Sequence, residues 1–286
     1  MIRRVGWGDY PEYATAAPVY PDAATGTKVL EAGGLPDSYL DTTFPGPWSG
    51  RDIYYYQAFV FDKAYNYGPG DAGACDRATS YWLGDVDPKQ DYDPGPPEVP
   101  STIGDGFVVF SYDVTSLSGS YYAAEGPAPW NAHCDVGPTD DYSRLGIPQP
   151  DNHVDFEDLM IFAMNYGVVT PLQGAVPGVF ASAVPPALQW RVTPGTGELV
   201  GRLVLANNRG MVKGAHALVR YDASQLELLG VEKGVLAQPE GVFFASVRQE
   251  GAVVLDAAQL GEDLAFAGSG ELAVVRFRAR GNARPV

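Results

Sequence analysis

Short runs rich in apolar, strand-forming residues, separated by turn residues, dominate the C-terminal third of the chain. From Leu188 onward, "LQWRVT", "ELVGRLVLAN", "GAHALVRYD", "LELLGVEKG", "GVFFASV", "GAVVLDAAQL" and "ELAVVRFRAR" follow one another at short spacing. These runs are rich in strand-forming residues and separated by turn residues, which predicts a β-sandwich over 187–286. Near the other end, "RDIYYYQAFVFD" alternates, "KAYNYGPGDAG" turns the chain, and "RATSYWLGD" supplies a further strand. Residues 1–82 therefore read as strands and turns.

Between these regions the period changes. Val114, Leu117, Ser118 and Tyr121 lie at i, i+3, i+4 and i+7, as do Leu159, Phe162, Ala163 and Tyr166. Each set predicts a short helix with one apolar face. Each helix follows an Asp-rich segment, so a loop-then-helix unit occurs twice within 83–167, an internal repeat. "VVTPLQGAVPGVFASAVPP", 168–186, has the Pro, Gly and small residues of a linker.

Composition sharpens this picture. The chain has 286 residues, enough for two or three domains. Its 17 Tyr, 34 Gly and 24 Pro favour strands joined by tight turns over helix bundles. A formal net charge of −16 disfavours nucleic acid and anionic lipid as partners and suits calcium-rich surroundings. No apolar run reaches the length needed to span a bilayer. Cys75 and Cys134 are the two cysteines. They are expected to form a disulfide closing a long loop, with two free thiols as the alternative. The N-terminal "MIRRVGWGDYPEY" lacks the apolar core of a signal peptide, so an export signal would lie outside this chain.

The densest chemistry lies in "PDNHVDFEDLMIFAMNYG", where Asp151, Asp155, Glu157 and Asp158 precede the second helix. Carboxylates this close repel one another and call for a positive partner. An EF-hand-type calcium loop places oxygen ligands at positions 1, 3, 5, 7, 9 and 12, with position 12 opening a helix. Position 6 takes a residue that tolerates a left-handed backbone. With Asp158 at position 12, Asp151 falls at 5, Asn152 at 6, His153 at 7 through its carbonyl, and Asp155 at 9. The expected cofactor is Ca²⁺.

On these residues, 83–167 resembles a dockerin module, a pair of calcium loop–helix repeats. The second copy opens at "CDVGPT" with Asp135 at position 1. The first opens at "GDVD" with Asp85 and Asp87 at 1 and 3, then resumes at "GDGFVVFSYDVTSLSGSYY". There Asp105, Phe107 (through its carbonyl) and Asp113 take positions 5, 7 and 12. This chain departs from the family in three ways. Both loops carry insertions, so Asp91, Asp93, Asp140 and Asp141 are substitute ligand candidates. The first copy has one extra residue before Asp113. Ser111-Tyr112 and Phe156-Glu157 stand where family members often carry Ser/Thr pairs that grip a partner. The competing reading makes Asp113 and Asp158 helix caps and the acids a solvated face.

Two further resemblances bracket the repeat. "RDIYYYQAFVFD", with Tyr54, Tyr55 and Tyr56, and "RATSYWL" resemble the sixth and seventh strands of a fibronectin type III domain. "VKGAHALVRYDASQLELLGVEKGVL", "FFASVRQEGAVVLDAAQL" and "GSGELAVVRFRAR" resemble a cohesin, the β-sandwich that receives dockerins. Both ends of the chain are then expected to fall inside domains. The expected fold class is mainly β: modular β-sandwiches flanking a small α-helical, EF-hand-like module.

No G-x-S-x-G, H-E-x-x-H, P-loop or C-x-x-C occurs. His133, His153 and His216 are scattered, and the acids gather in the two loops. Trp7, Trp48, Trp82, Trp130 and Trp190 are spread along the chain, as core or edge residues usually are. The resulting expectation is a secreted, non-catalytic segment that assembles with other protein chains, copies of itself included. Two alternatives stand beside it: an appendage of a larger secreted hydrolase, and a carbohydrate-binding module with polysaccharide as partner.

Overall fold

The computed structural model describes residues 1–32, 39–41, 43, 51–70, 75–87, 108, 112–167, 184–195, 197–261 and 263–280. The chain divides into two compact units, Met1–Asn165 and Tyr166–Val286.

The first unit holds one four-stranded antiparallel sheet in the order β2-β1-β3-β4, from β1 (Ile2–Gly6), β2 (Thr27–Leu30), β3 (Ile53–Ala58) and β4 (Cys75–Thr79). β3 is the strand expected from "RDIYYYQAFVFD", whereas β4 overlaps "RATSYWLGD" only at residues 77–79, and residues 80–85 lie outside any strand. Among the described residues of 1–82 there is this single sheet and no second layer of a sandwich. Ile53 and Tyr55 project from β3 into a cluster with Tyr13 and Ile147, rimmed by Trp7 and Tyr81.

Ile147 belongs to the predicted calcium module, and a second cluster joins Leu83, Val136 and Ile161 to Tyr81 and Met164. Side chains from 1–82 and from the expected module 83–167 therefore pack in the same clusters within the unit Met1–Asn165. The aromatics on the sheet need a partner face, and the loop–helix repeat supplies it.

The two helices form where the period placed them, as α1 (Asp113–Ser120) and α2 (Phe156–Asn165). α2 buries Leu159, Ile161, Phe162 and Ala163. α1 buries Leu117, but Ser118 is exposed and Tyr121 lies past the helix end, so its buried face is narrower than the spacing implied. Asn165 at the end of α2 is fully buried and donates from Nδ2 to the Leu83 carbonyl at 2.9 Å, tying the second helix to the start of the first loop.

The second unit is a two-layer β-structure. β5 (Ala187–Pro194), β6 (Glu198–Ala206), β11 (Gly270–Ala279) and β8 (Leu226–Lys233) form one antiparallel sheet in that order. β7 (Gly214–Arg220), β10 (Ala252–Gln259) and β9 (Val242–Gln249) form the other. Alternate residues from both sheets, among them Leu203, Leu205, Val253, Leu255, Val275 and Phe277, make one core. All seven strands expected from these runs are present. Buried Asn208 secures the turn after β6: its Nδ2 donates to the Phe266 and Gly268 carbonyls, and its Oδ1 accepts from the Met211 and Val212 amides.

The expected disulfide is absent. No disulfide joins Cys75 and Cys134; Cys75 sits on edge strand β4, and Cys134 is buried beside the second loop. Burial pushes the Cys134 thiol up to about 12, and the thiolate is the reactive form. Thiol titration without reductant should therefore find two thiols in denaturant, with Cys134 protected in the native protein. Finding none in denaturant would restore the disulfide.

Candidate metal centre

The two loops are built on one plan. In the second, Asp158 Oδ1 accepts from the backbone N–H of Val136 (2.7 Å) and Gly137 (2.8 Å). In the first, Asp113 Oδ1 accepts from Val86 (2.8 Å) and Asp87 (2.9 Å). The carboxylate opening each helix thus binds the amides of the two residues after the loop's first aspartate, Asp85 or Asp135. Those two aspartates and the two closing ones are all buried.

The second loop is described throughout. Asp135 accepts from the amides of Asp151 (3.3 Å, on Oδ1) and Asn152 (2.8 Å, on Oδ2), the residues at positions 5 and 6. Asn152 has φ +69°, the left-handed conformation that position 6 requires. Asp151 Oδ1 accepts from the His153 amide at 2.9 Å. Glu125 N–H donates to the Asn152 carbonyl and Val154 N–H to the Ala123 carbonyl. These bonds flank His153, whose own carbonyl accepts no hydrogen bond among the described residues. Val154 is fully buried, anchoring the loop's centre in the core.

Asp158 also takes part in a capping box. Its Oδ2 accepts from the Asp155 N–H at 2.8 Å, while Asp155 Oδ1 accepts from Glu157 N–H. The capping reading of Asp158 is therefore correct as far as it goes, but it leaves the charges unexplained. Among the described residues, neither Asp135 nor Asp158 has a Lys, Arg or His within ion-pair distance. Burial raises the Asp135 carboxyl to about 7 and lifts Asp158 well above the ordinary range. Two buried carboxylates with no basic side chain within ion-pair distance among the described residues are hard oxygen donors of the kind Ca²⁺ takes.

The other expected ligands are less drawn in. Asp151 and His153 are exposed and Asp155 is half-buried. Among the described residues, no three His, Cys, Asp or Glu side chains converge on one point. Asp140 and Asp141 are committed elsewhere: Asp140 pairs with Arg77 and accepts from Ile147 N–H, and Asp141 accepts from Ser143 N–H. In the first loop, Asp105, Phe107, Asp91 and Asp93 lie outside the described residues. Asp87 accepts from the Ser116 hydroxyl at 3.1 Å.

One residue that sequence reasoning missed dominates the first loop. Arg51, just before β3, forms a buried ion pair with Asp85 and also donates to the Asp85 backbone carbonyl. Its guanidinium lies over the Tyr81 ring, 5.4 Å from the centroid, and reaches the Tyr10 hydroxyl at 3.4 Å. Tyr10 in turn stacks on His133, whose pKa is lowered by burial and then by Arg51. No local pattern marks Arg51, because its partner is 34 positions away.

The pKa shifts give a signed expectation. For a carboxyl raised by folding, as Asp135 is, the stabilisation is present below its unfolded value and is lost as pH rises through about 7. Calcium needs the deprotonated form. The metal-free first unit should therefore melt progressively lower as pH rises through about 7, while the increment from added calcium grows. An increment independent of pH across that range would contradict this.

No protein-family model and no curated relative matches the sequence. Solved structures similar to part of the chain include cohesin modules. A non-cellulosomal cohesin from the archaeon Archaeoglobus fulgidus is 21% identical with a TM-score of 0.25, covering 30% of this chain and 57% of that one. The sixth cohesin of scaffoldin B from Acetivibrio cellulolyticus, solved with a Cel5 dockerin mutant, is 20% identical with a TM-score of 0.30, covering 35% and 75%. The cohesin module of a family 33 glycoside hydrolase from Clostridium perfringens is 18% identical with a TM-score of 0.27, covering 34% and 73%. The chain thus spans little more than half the length of the first of these. Among the described residues, no helix is long and apolar enough to cross a membrane.

Proposed function

We propose that this chain is a non-catalytic, secreted assembly module, stabilised by calcium and joining protein chains through dockerin-like and cohesin-like surfaces. The observation that carries the calcium half is the repeated geometry of the loops, with Asp158 and Asp113 each binding the two amides that follow Asp135 and Asp85. A cap alone needs no second buried aspartate at the loop's start. Asp135 and Asp158 would hold the ion together with the His153 carbonyl, and the ion would draw Asp151 and Asp155 inward. It would supply fixed positive charge, and the loop's order would follow from it.

The assembly half rests on the pairing of this repeat with a two-sheet β-structure whose sequence resembles the dockerins' receptor. A plug on one copy and a socket on another make a heterologous contact, which gives rings when the rotation closes and filaments when it does not. Phe156 and Glu157, at the start of α2, replace the usual gripping pair, so the contact would differ in chemistry from that of typical family members. Light scattering over a concentration series, with calcium and with EDTA, tests the reading. Calcium-dependent growth in mass is the expected result, and a monomer at high concentration with calcium present would refute self-assembly.

A further inference from the structure

We infer that the first loop is built around an internal cation, Arg51, in place of a metal ion, so that the chain takes up a single calcium ion, at the second loop. The inference rests on the calcium reading above and concerns which loop binds.

In a loop of this kind the position-1 aspartate gives an oxygen directly to the ion. Asp135 meets that condition: its oxygens accept only from the amides of Asp151 and Asn152, and no cation faces it among the described residues. Asp85, its counterpart, does not. Arg51 Nη2 binds the Asp85 carboxylate and Nη1 binds the Asp85 carbonyl, with both side chains almost wholly buried. A guanidinium keeps its proton throughout the accessible pH range, so this charge is permanent. The Tyr81 ring beneath it and the Tyr10 hydroxyl beside it hold it in place.

A fixed positive charge against the first ligand oxygen repels a divalent ion arriving there. The loop also has no need of one. Asp85, unlike Asp135, already has its counter-charge. The duplicated plan has thus been divided, one copy docked to the sheet through Arg51 and the other left open to metal.

Equilibrium dialysis of the full chain against calcium, with Asp87→Ala and Asp151→Ala variants, tests the division. One ion per chain is expected in the parent and in Asp87→Ala, with affinity reduced roughly tenfold or more in Asp151→Ala. Two ions per chain would overturn the inference and leave the calcium reading standing. So would a single ion lost in Asp87→Ala and kept in Asp151→Ala. No bound calcium at all would overturn both.

Discussion

Chelating calcium should lower the melting temperature of the unit Met1–Asn165 by roughly 5–15 °C and leave the transition of Tyr166–Val286 in place. The magnitude follows from linkage: free calcium at about 100 to 1,000 times its dissociation constant stabilises the folded state by about 3–4 kcal/mol. For a unit of this size each kcal/mol moves the midpoint by about 2–4 °C. The direction follows from the charges. Without the ion, Asp135 and Asp158 either stay ionised in a buried setting or take up protons, as their raised pKa values indicate. The second unit's core is closed by strand pairing and apolar packing. Calorimetry with and without EDTA reads both transitions in one sample. A first transition that does not move would remove calcium from the account.

The second large effect is expected at Arg51. Replacing it with Met should destabilise the first unit by about 3–5 kcal/mol, because the Asp85 carboxylate is left buried without its counter-charge. The cost is expected to come mainly from the stranded aspartate rather than from the net worth of the pair. The double variant Arg51→Met/Asp85→Leu should therefore recover most of the loss, since an apolar pair of similar volume often replaces a buried ion pair at little cost. Denaturant unfolding of the parent, the two single variants and the double variant measures the coupling. If the double variant is as unstable as Arg51→Met, the damage comes from packing against Tyr81 and Tyr10 instead.

Where the period was strong, the fold was legible. The seven strands of the second unit come as runs of strand-forming residues separated by turn residues, some alternating and some continuously apolar as in β10, and local pattern suffices to place such strands. α2 was equally plain, with Leu159, Phe162 and Ala163 on one face and acids at its start. The position-6 requirement, read at Asn152 from spacing alone, appears in the structure as its left-handed backbone.

Long-range relations were not legible. The Tyr-rich strands suggested a sandwich of their own, yet their aromatic face packs against residues from the loop–helix repeat, including Ile147. Alternation reports that a face is buried and not what buries it. Arg51 carried no signal because an ion pair between distant positions leaves no period. The cysteine pairing was argued from loop entropy, which favours a bridge only if the fold brings the two sulfurs together. Here Cys75 lies on β4 and Cys134 in a buried turn, with no disulfide between them.

The most direct measurement is diffraction from crystals of this chain grown in calcium, read for anomalous difference density. The expected result is one peak in the second loop, between the Asp135 and Asp158 carboxylates and the His153 carbonyl, with Asp151 drawn in towards it. A loop that is ordered as described here but carries no peak, in a protein shown to be saturated with calcium, would contradict the account.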